Sequence, residues 1–384
     1  MQTYHRLPVS FVSGEGTWLK DKAGKRYLDF TAGIGVNCLG HAYPALVKAI
    51  TEQAAKFNHV SNYYQSEVSL EFAEKLVAAC APVGMRKVFF GNSGAEANEG
   101  ACKIARKYSL RKYGPGRHTI VSLKGSFHGR TITTLSATGQ EQFHKDFGPF
   151  TEGFRFIPPG DLEALDRSLD PASVAGLLME VIQGESGVFP LDPAYIAAAA
   201  KLCADRDILL MFDEIQCGVG RTGTFLAGEA YQVKADIVTL AKGLSAGVPV
   251  GAVLAGEKAA AVLGIGDHGS TFGGNPLAAA AGLLVLETVR DPRFLAEIVR
   301  KGERFQTVLA GWRHPQIREI RGRGLMIGVD ICIEARPVLE KALDQGLLIL
   351  SAGTKTLRFL PPYSISDAEI DQGLEILRGV LDKS

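Results

Sequence analysis

The sequence predicts an α/β protein: a doubly wound, mostly parallel sheet in a large domain, followed by a small α/β domain. Three observations carry this. Between Pro44 and about Gly264, helical stretches alternate with short apolar runs, the pattern of strands joined by crossover helices. Ile208-Leu-Leu-Met-Phe212 and Ile237-Val-Thr-Leu-Ala241 are apolar runs of the length of parallel strands buried on both faces. After Gly273-Gly-Asn-Pro276, a long apolar helix from Leu277 to Val289 leads into a smaller region of mixed helices and strands.

Residues 1–45 are rich in glycine and turn formers and read as an arm. Within it Gly16 to Phe30 forms a hairpin that turns over Asp21 to Gly24. Residues 46–276 form the large domain. Its clear helices are Leu46 to Phe57, Ser66 to Cys80, Glu96 to Lys112 and Pro193 to Asp205; further strands are Lys87 to Phe90, Thr119 to Leu123, Ala175 to Val181 and Val250 to Ala255. Residues 277–384 comprise the bridging helix and the small domain, with strands at Leu325 to Asp330 and Leu357 to Leu360. The cleft between the two domains is the expected ligand site.

At 384 residues, 46% hydrophobic and 22% charged, the chain buries a large core. A net charge of +1 gives no field suited to nucleic acid or a membrane surface, so substrate charge must be read locally. The six cysteines, at 38, 80, 102, 203, 217 and 332, form no C-x-x-C pair; they are expected to be reduced thiols of a cytoplasmic enzyme, and no metal site is expected. The N-terminus lacks a basic stretch followed by an apolar one, and no apolar run reaches the roughly 18 residues of a membrane span, so neither secretion nor membrane insertion is expected.

The chemistry centres on Asp213 and Lys242, each at the carboxyl end of a buried strand, where open α/β sheets bind ligands. Alone, such an acid caps a turn and such a lysine is solvated. Together, an acid that holds a proton on a pyridine nitrogen and a lysine that forms a Schiff base are what pyridoxal phosphate requires of a protein. Around them, Gly91-Asn-Ser-Gly-Ala-Glu-Ala-Asn98 has the capping-box spacing of Ser93 and Glu96, and places Ser93, Gly94 and Ala95 at a helix start, either an ordinary cap or an anion site. Gly125-Ser-Phe-His-Gly-Arg-Thr131 offers Phe127 to stack on a planar group, His128 as a hydrogen-bond partner, and Arg130 to grip a carboxylate. Glu180-Val-Ile-Gln-Gly-Glu185 brings two carboxylates to the same sheet edge, and Arg358 supplies a second candidate clamp from the small domain. Gly269-Ser-Thr-Phe-Gly-Gly-Asn-Pro276 is either another phosphate contact or a plain loop.

In this order and spacing, those segments, with Asp213-Glu-Ile-Gln-Cys-Gly-Val-Gly-Arg-Thr-Gly223 and Thr239-Leu-Ala-Lys-Gly-Leu244, resemble the ornithine and acetylornithine aminotransferases, class-III members of the fold-type-I pyridoxal phosphate enzymes, from about Trp18 to Pro362. Leu28 to Pro44, Ser61-Asn62 and Arg321-Gly-Arg-Gly-Leu-Met-Ile-Gly328 lean to the acetylornithine branch. The resemblance implies that Lys242 bonds the aldehyde and shuttles the proton, that Asp213 keeps the ring nitrogen protonated, that Gln216 contacts the ring hydroxyl, and that Phe127 stacks on the ring. It implies a phosphate held by Gly94 and Ala95, joined by Thr271 from the other subunit of a homodimer, and substrate contacts from Ser270 and Arg130. It further implies that Glu185 masks Arg358 for the amino donor and releases it when 2-oxoglutarate arrives, an ion-pair exchange balanced by the incoming carboxylate. Two positions depart from the family: Ala95 stands where threonine is frequent, and Val181 where proline is usual, so the path toward Glu185 is expected to differ slightly.

The implied reaction moves the δ-amino group of N2-acetylornithine to 2-oxoglutarate, with succinyl-diaminopimelate as a further donor and ornithine or 4-aminobutyrate as alternatives. Asn62, Tyr63 and Tyr64 are candidates for the donor end. A nucleotide-dependent dehydrogenase is the competitor of another class, opposed by the lack of G-x-G-x-x-G after the first strand of the large domain. A non-catalytic binding protein is opposed by the presence of both Asp213 and Lys242.

Overall fold

A computed structural model describes residues 1–384. Its centre is a seven-stranded sheet with strands in the order Met85–Gly91, Gly251–Gly256, Ile237–Leu240, Leu209–Asp213, Val174–Met179, Thr119–Leu123, Phe154–Ile157. Only Gly251–Gly256 runs against the rest. Val174–Met179, Leu209–Asp213 and Ile237–Leu240 are buried along their whole length, which is why they read as continuous apolar runs. The parallel strands all end at one edge, and the segments carrying Asn92 to Ala95, Gly125 to Arg130, Glu180 to Glu185, Asp213 to Gln216 and Lys242 leave from that edge.

Helices cover both faces. Gly94–Tyr113 lays Ala97, Asn98, Ala101, Cys102 and Ala105 on the sheet. The helix begins two residues before the expected Glu96, because Ser93 accepts a hydrogen bond from the Glu96 backbone N–H at 3.2 Å and so caps it. The reciprocal half of the capping box is shifted: the Glu96 carboxylate accepts from Asn92, at 2.8 Å from both its backbone and side-chain nitrogens, instead of from Ser93. Pro276–Val289 starts at Asn275, whose side chain accepts from the Ala278 N–H, and packs against Pro44–Ala54 and Glu67–Cys80.

A second sheet of four strands, Ile317–Arg323, Met326–Ile331, Thr356–Phe359 and Leu350–Ala352, is backed by the helices Pro292–Gly311, Ala335–Asp344 and Asp367–Leu381. The opening segment is more than the expected hairpin. Phe11–Glu15, Trp18–Asp21 and Arg26–Asp29 form a meander, and Arg26–Asp29 pairs in parallel with Leu347–Leu348. Phe30 seals this junction, with its ring 5.4 Å from that of Phe305 and 6.2 Å from that of Phe359. No helix is long and apolar enough to cross a membrane. The six cysteines are free thiols, five of them buried.

Candidate active site

A cavity of about 430 Å³ opens at the carboxyl edge of the large sheet, within the size range of small-molecule sites. Its wall brings together Ser93, Gly94, Ala95, Phe127, His128, Arg130, Asp213, Gln216 and Lys242, drawn from four separate segments.

Asp213 closes its strand 3% exposed, with its carboxylate already supplied with donors. Oδ2 accepts from Asn98 Nδ2 at 2.7 Å and from His128 Nδ1 at 2.8 Å, while Oδ1 accepts from the Ile215 backbone N–H at 3.0 Å. Three hydrogen bonds fix the orientation of this buried acid. Asn98 is itself fixed, accepting from the Thr239 hydroxyl at 2.8 Å and donating to the His128 carbonyl at 2.8 Å. His128 Nδ1 thus points at the acid, and Nε2 is left buried without a partner.

Lys242 follows Ile237–Leu240 with φ at +45°, a left-handed backbone uncommon for lysine, and opens a tight helical turn over Lys242–Ser245. The turn aims its side chain into the cavity. Desolvation by the walls lowers its pKa; the Asp213 charge opposes that, and Arg358 adds to it. A lysine so placed is more readily neutral, the form that attacks a carbonyl.

The helix start at Ser93 to Ala95 is closely packed. A Cβ on Gly251 would meet the Ser93 carbonyl oxygen at 2.0 Å, and one on Gly94 would meet Ile215 at 2.7 Å. Orphan N–H groups at the beginning of a twenty-residue helix suit an anion. With apolar walls at Phe127 and Ile215, the cavity therefore offers an anion seat, an acid for a ring nitrogen and an amine for a carbonyl. These residues fit a planar ring bearing a phosphate, a basic nitrogen and an aldehyde.

Glu185 and Arg358 meet beside this wall, Glu185 Oε2 accepting from Arg358 Nη1 at 2.9 Å. The same nitrogen donates to the Gly184 carbonyl at 3.2 Å and to Gln216 Oε1 at 3.3 Å, which ties the pair to the cavity. The arginine is 3% exposed and the acid 32%, so the acid is the half that solvent reaches. Val181 in place of proline leaves this contact in reach. Behind it, Glu180 is buried and accepts from the backbone N–H groups of Phe127 at 2.9 Å and Gly184 at 3.1 Å. Burial pushes its carboxyl up to about 7, with the charge of His128 opposing.

Other expected residues lie off the wall. Ser270 touches it indirectly, accepting from Asn92 Nδ2 at 3.1 Å. Thr271 is exposed and outside the cavity of its own chain. Asn62 is spent on the carbonyls of Ser270 and Gly273, at 3.0 and 3.2 Å, and Tyr63 and Tyr64 are 95% and 76% exposed, so none of the three lines this cavity. The sequence assigns no role to Asn98 or Ile215. The signal for Asn98 is its place as a carboxamide on the apolar, buried side of its helix, where Ser109 is the other polar side chain.

The sequence profile described as Aminotransferase class-III matches residues 1–381. An acetylornithine aminotransferase of Caldanaerobacter subterraneus subsp. tengcongensis is 49% identical over 386 residues, covering 100% of this chain and 97% of that one. A solved N-acetylornithine aminotransferase from Stenotrophomonas maltophilia superposes with a TM-score of 0.87 at 37% identity, covering 100% of this chain and 98% of that one. An ornithine aminotransferase of Toxoplasma gondii, crystallized with oxidized glutathione and showing partial occupancy of PLP at its active site, superposes with a TM-score of 0.94 at 35% identity, covering 100% and 91%. With a full-length profile match and a close full-length relative, the chain belongs to the class-III aminotransferase family.

Proposed function

We propose that the protein is a pyridoxal-phosphate-dependent acetylornithine aminotransferase, a cytoplasmic homodimer that moves the δ-amino group of N2-acetylornithine to 2-oxoglutarate, giving N-acetylglutamate 5-semialdehyde and glutamate in arginine biosynthesis. The observation that carries the reading is the facing of two groups across one cavity: the desolvated amine of Lys242 and the Asp213 carboxylate fixed by Asn98, His128 and Ile215. Family membership and the relative at 49% identity support the donor.

When bound, pyridoxal phosphate supplies an aldehyde for amines and a ring that accepts the electrons left when a carbon loses its proton. The backbone N–H groups of Gly94 and Ala95 hold the phosphate, with Ser93 capping the helix and the partner's Thr271 completing the seat. Asp213 holds a proton at the ring nitrogen, and His128 and Asn98 keep that acid in place. Gln216 meets the ring hydroxyl; Phe127 and Ile215 exclude water. Lys242 Nζ takes the proton from the δ-carbon of the donor and later delivers one to the keto carbon of the acceptor. Arg130 takes a carboxylate of either substrate, with Ser270 as a further contact. Glu185 masks Arg358 while the donor is bound and yields it to the second carboxylate of 2-oxoglutarate, a trade that keeps the buried guanidinium paired throughout. Residues 1–45 act as an arm on the small domain, 46–276 as the cofactor-binding domain and 277–384 as the bridging helix and small domain. The pairing of Arg26–Asp29 with Leu347–Leu348 supports this division.

The test is a half-reaction panel that follows the cofactor spectrum with N2-acetylornithine, ornithine, succinyl-diaminopimelate and 4-aminobutyrate. N2-acetylornithine is expected to convert fastest; a clear preference for ornithine or 4-aminobutyrate overturns the donor. Lys242→Ala is expected to abolish turnover in every half-reaction while leaving the fold intact. Retained turnover sinks the catalytic assignment.

A further inference from the structure

Arg130 differs in kind from the other arginine at the site. No carboxylate of the chain pairs with it, and Glu99 on the facing helix is occupied by the Thr131 hydroxyl at 2.6 Å. Its guanidinium carbon lies instead 4.0 Å from the ring centroid of Phe143 and 5.5 Å from that of Phe127. The two rings brace each other edge-on, 5.8 Å apart at 81°. Phe143 is half-buried on the short turn Glu141–Phe143, and the neighbouring His144 ties that turn down, with Nε2 2.8 Å from the Leu135 carbonyl oxygen.

An aromatic face attracts a cation through its quadrupole and consumes none of its N–H donors, whereas a carboxylate both orients and neutralises it. Arg358 is held the second way, with its Nη1 spent on Glu185, Gly184 and Gln216. Arg130 is held the first way.

We propose that Phe143 is a positioning residue for the substrate carboxylate: its ring holds Arg130 at the cavity wall while leaving the whole fork free, so that this arginine is a permanently open receptor and Arg358 a gated one. This rests on the reading of Arg130 as a carboxylate contact. The division of labour fits a pocket whose two substrates share one carboxylate-bearing end and differ at the other. Neither substrate then has to displace a protein acid from Arg130.

The experiment measures glutarate binding to the holoenzyme by calorimetry, together with KM and kcat for both substrates, in Phe143→Leu, Phe143→Met and Phe143→Tyr. Leucine and methionine keep apolar bulk and lose the quadrupole. Each is expected to weaken glutarate binding and raise both KM values about two- to fivefold with kcat nearly unchanged, and tyrosine to restore the wild-type values. Wild-type behaviour of both aliphatic variants, failure of tyrosine to rescue, or a loss confined to kcat overturns the proposal. Arg130→Ala separates the two levels. If it leaves glutarate binding intact, the carboxylate reading of Arg130 fails; if it weakens binding while the aliphatic variants do not, only the role of Phe143 falls. A melting curve for each variant identifies losses due to unfolding.

Discussion

At the scale of single residues, the site is built from groups held in forms that water would not favour. Lys242 is bent into a left-handed backbone and desolvated, and backbone strain of this kind costs on the order of 1–3 kcal/mol. Arg358 is buried against one acid. Under the proposed exchange, Arg358→Ala removes a clamp that only the acceptor needs, so we expect the 2-oxoglutarate half-reaction to lose on the order of a hundredfold in kcat/KM and the acetylornithine half-reaction to stay within a few-fold. Single-turnover rates for each half measure this; equal losses in both would remove the gate. Asp213 and Lys242 were legible because strand ends are legible: an apolar run that ends on a charged residue marks both. The meeting of Glu185 and Arg358 was legible only through family resemblance, since Glu185 lies in a turn at the edge of the large sheet, Arg358 on a strand of the small one, and no spacing rule connects them. Asn98 and Ile215 escaped because their roles depend on which helix or turn face lands on Asp213, a tertiary fact. The three candidates at positions 62 to 64 do not line the cavity because the turn that carries them hydrogen-bonds to the loop at Ser270 to Gly273 instead.

Among elements, the start of Gly94–Tyr113 and the strand Gly251–Gly256 act as one unit. Gly251 lies so close to Ser93 that any side chain there must push the cap away from its neighbours. Gly251→Ala is expected to cost about 1–3 kcal/mol of stability and to weaken pyridoxal phosphate binding on the order of tenfold, read by melting and by fluorescence titration of the apoenzyme. An unchanged affinity would show that the helix start is not the phosphate seat. Most elements of the large sheet were readable because apolar runs and caps coincide there. Phe154–Ile157 was not: it is an edge strand with one neighbour, and its half-exposed Phe-Arg-Phe-Ile run lacks the continuous apolar character of the inner strands. The added strands of the arm's sheet were missed for a related reason, since Phe11–Glu15 is mostly exposed and Leu347–Leu348, contributed by the small domain, is only two residues long.

For the whole molecule, a buried carboxyl that shapes the response to pH is Glu214, beside Asp213. Burial pushes its carboxyl up to about 8, opposed by hydrogen bonds from the backbone N–H groups of Gly228 and Ala227. A folded pKa above the unfolded value means the native state holds the proton more tightly. Its stabilising effect is therefore complete below about 4.5 and is lost as pH rises through about 8. Glu180, raised to about 7, adds to the trend. Unfolding free energy should fall between those limits by at most about 1.4 kcal/mol per pH unit from Glu214, and Glu214→Gln should flatten the slope. Denaturant titrations at pH 5.5, 7 and 8.5 give the answer; an identical slope in the variant would assign the dependence elsewhere. The pairing of Arg26–Asp29 with Leu347–Leu348 has a consequence for biosynthesis. The first strands to leave the ribosome must idle, with one edge unmet and the Phe30 ring uncovered, until almost the entire polypeptide has been translated.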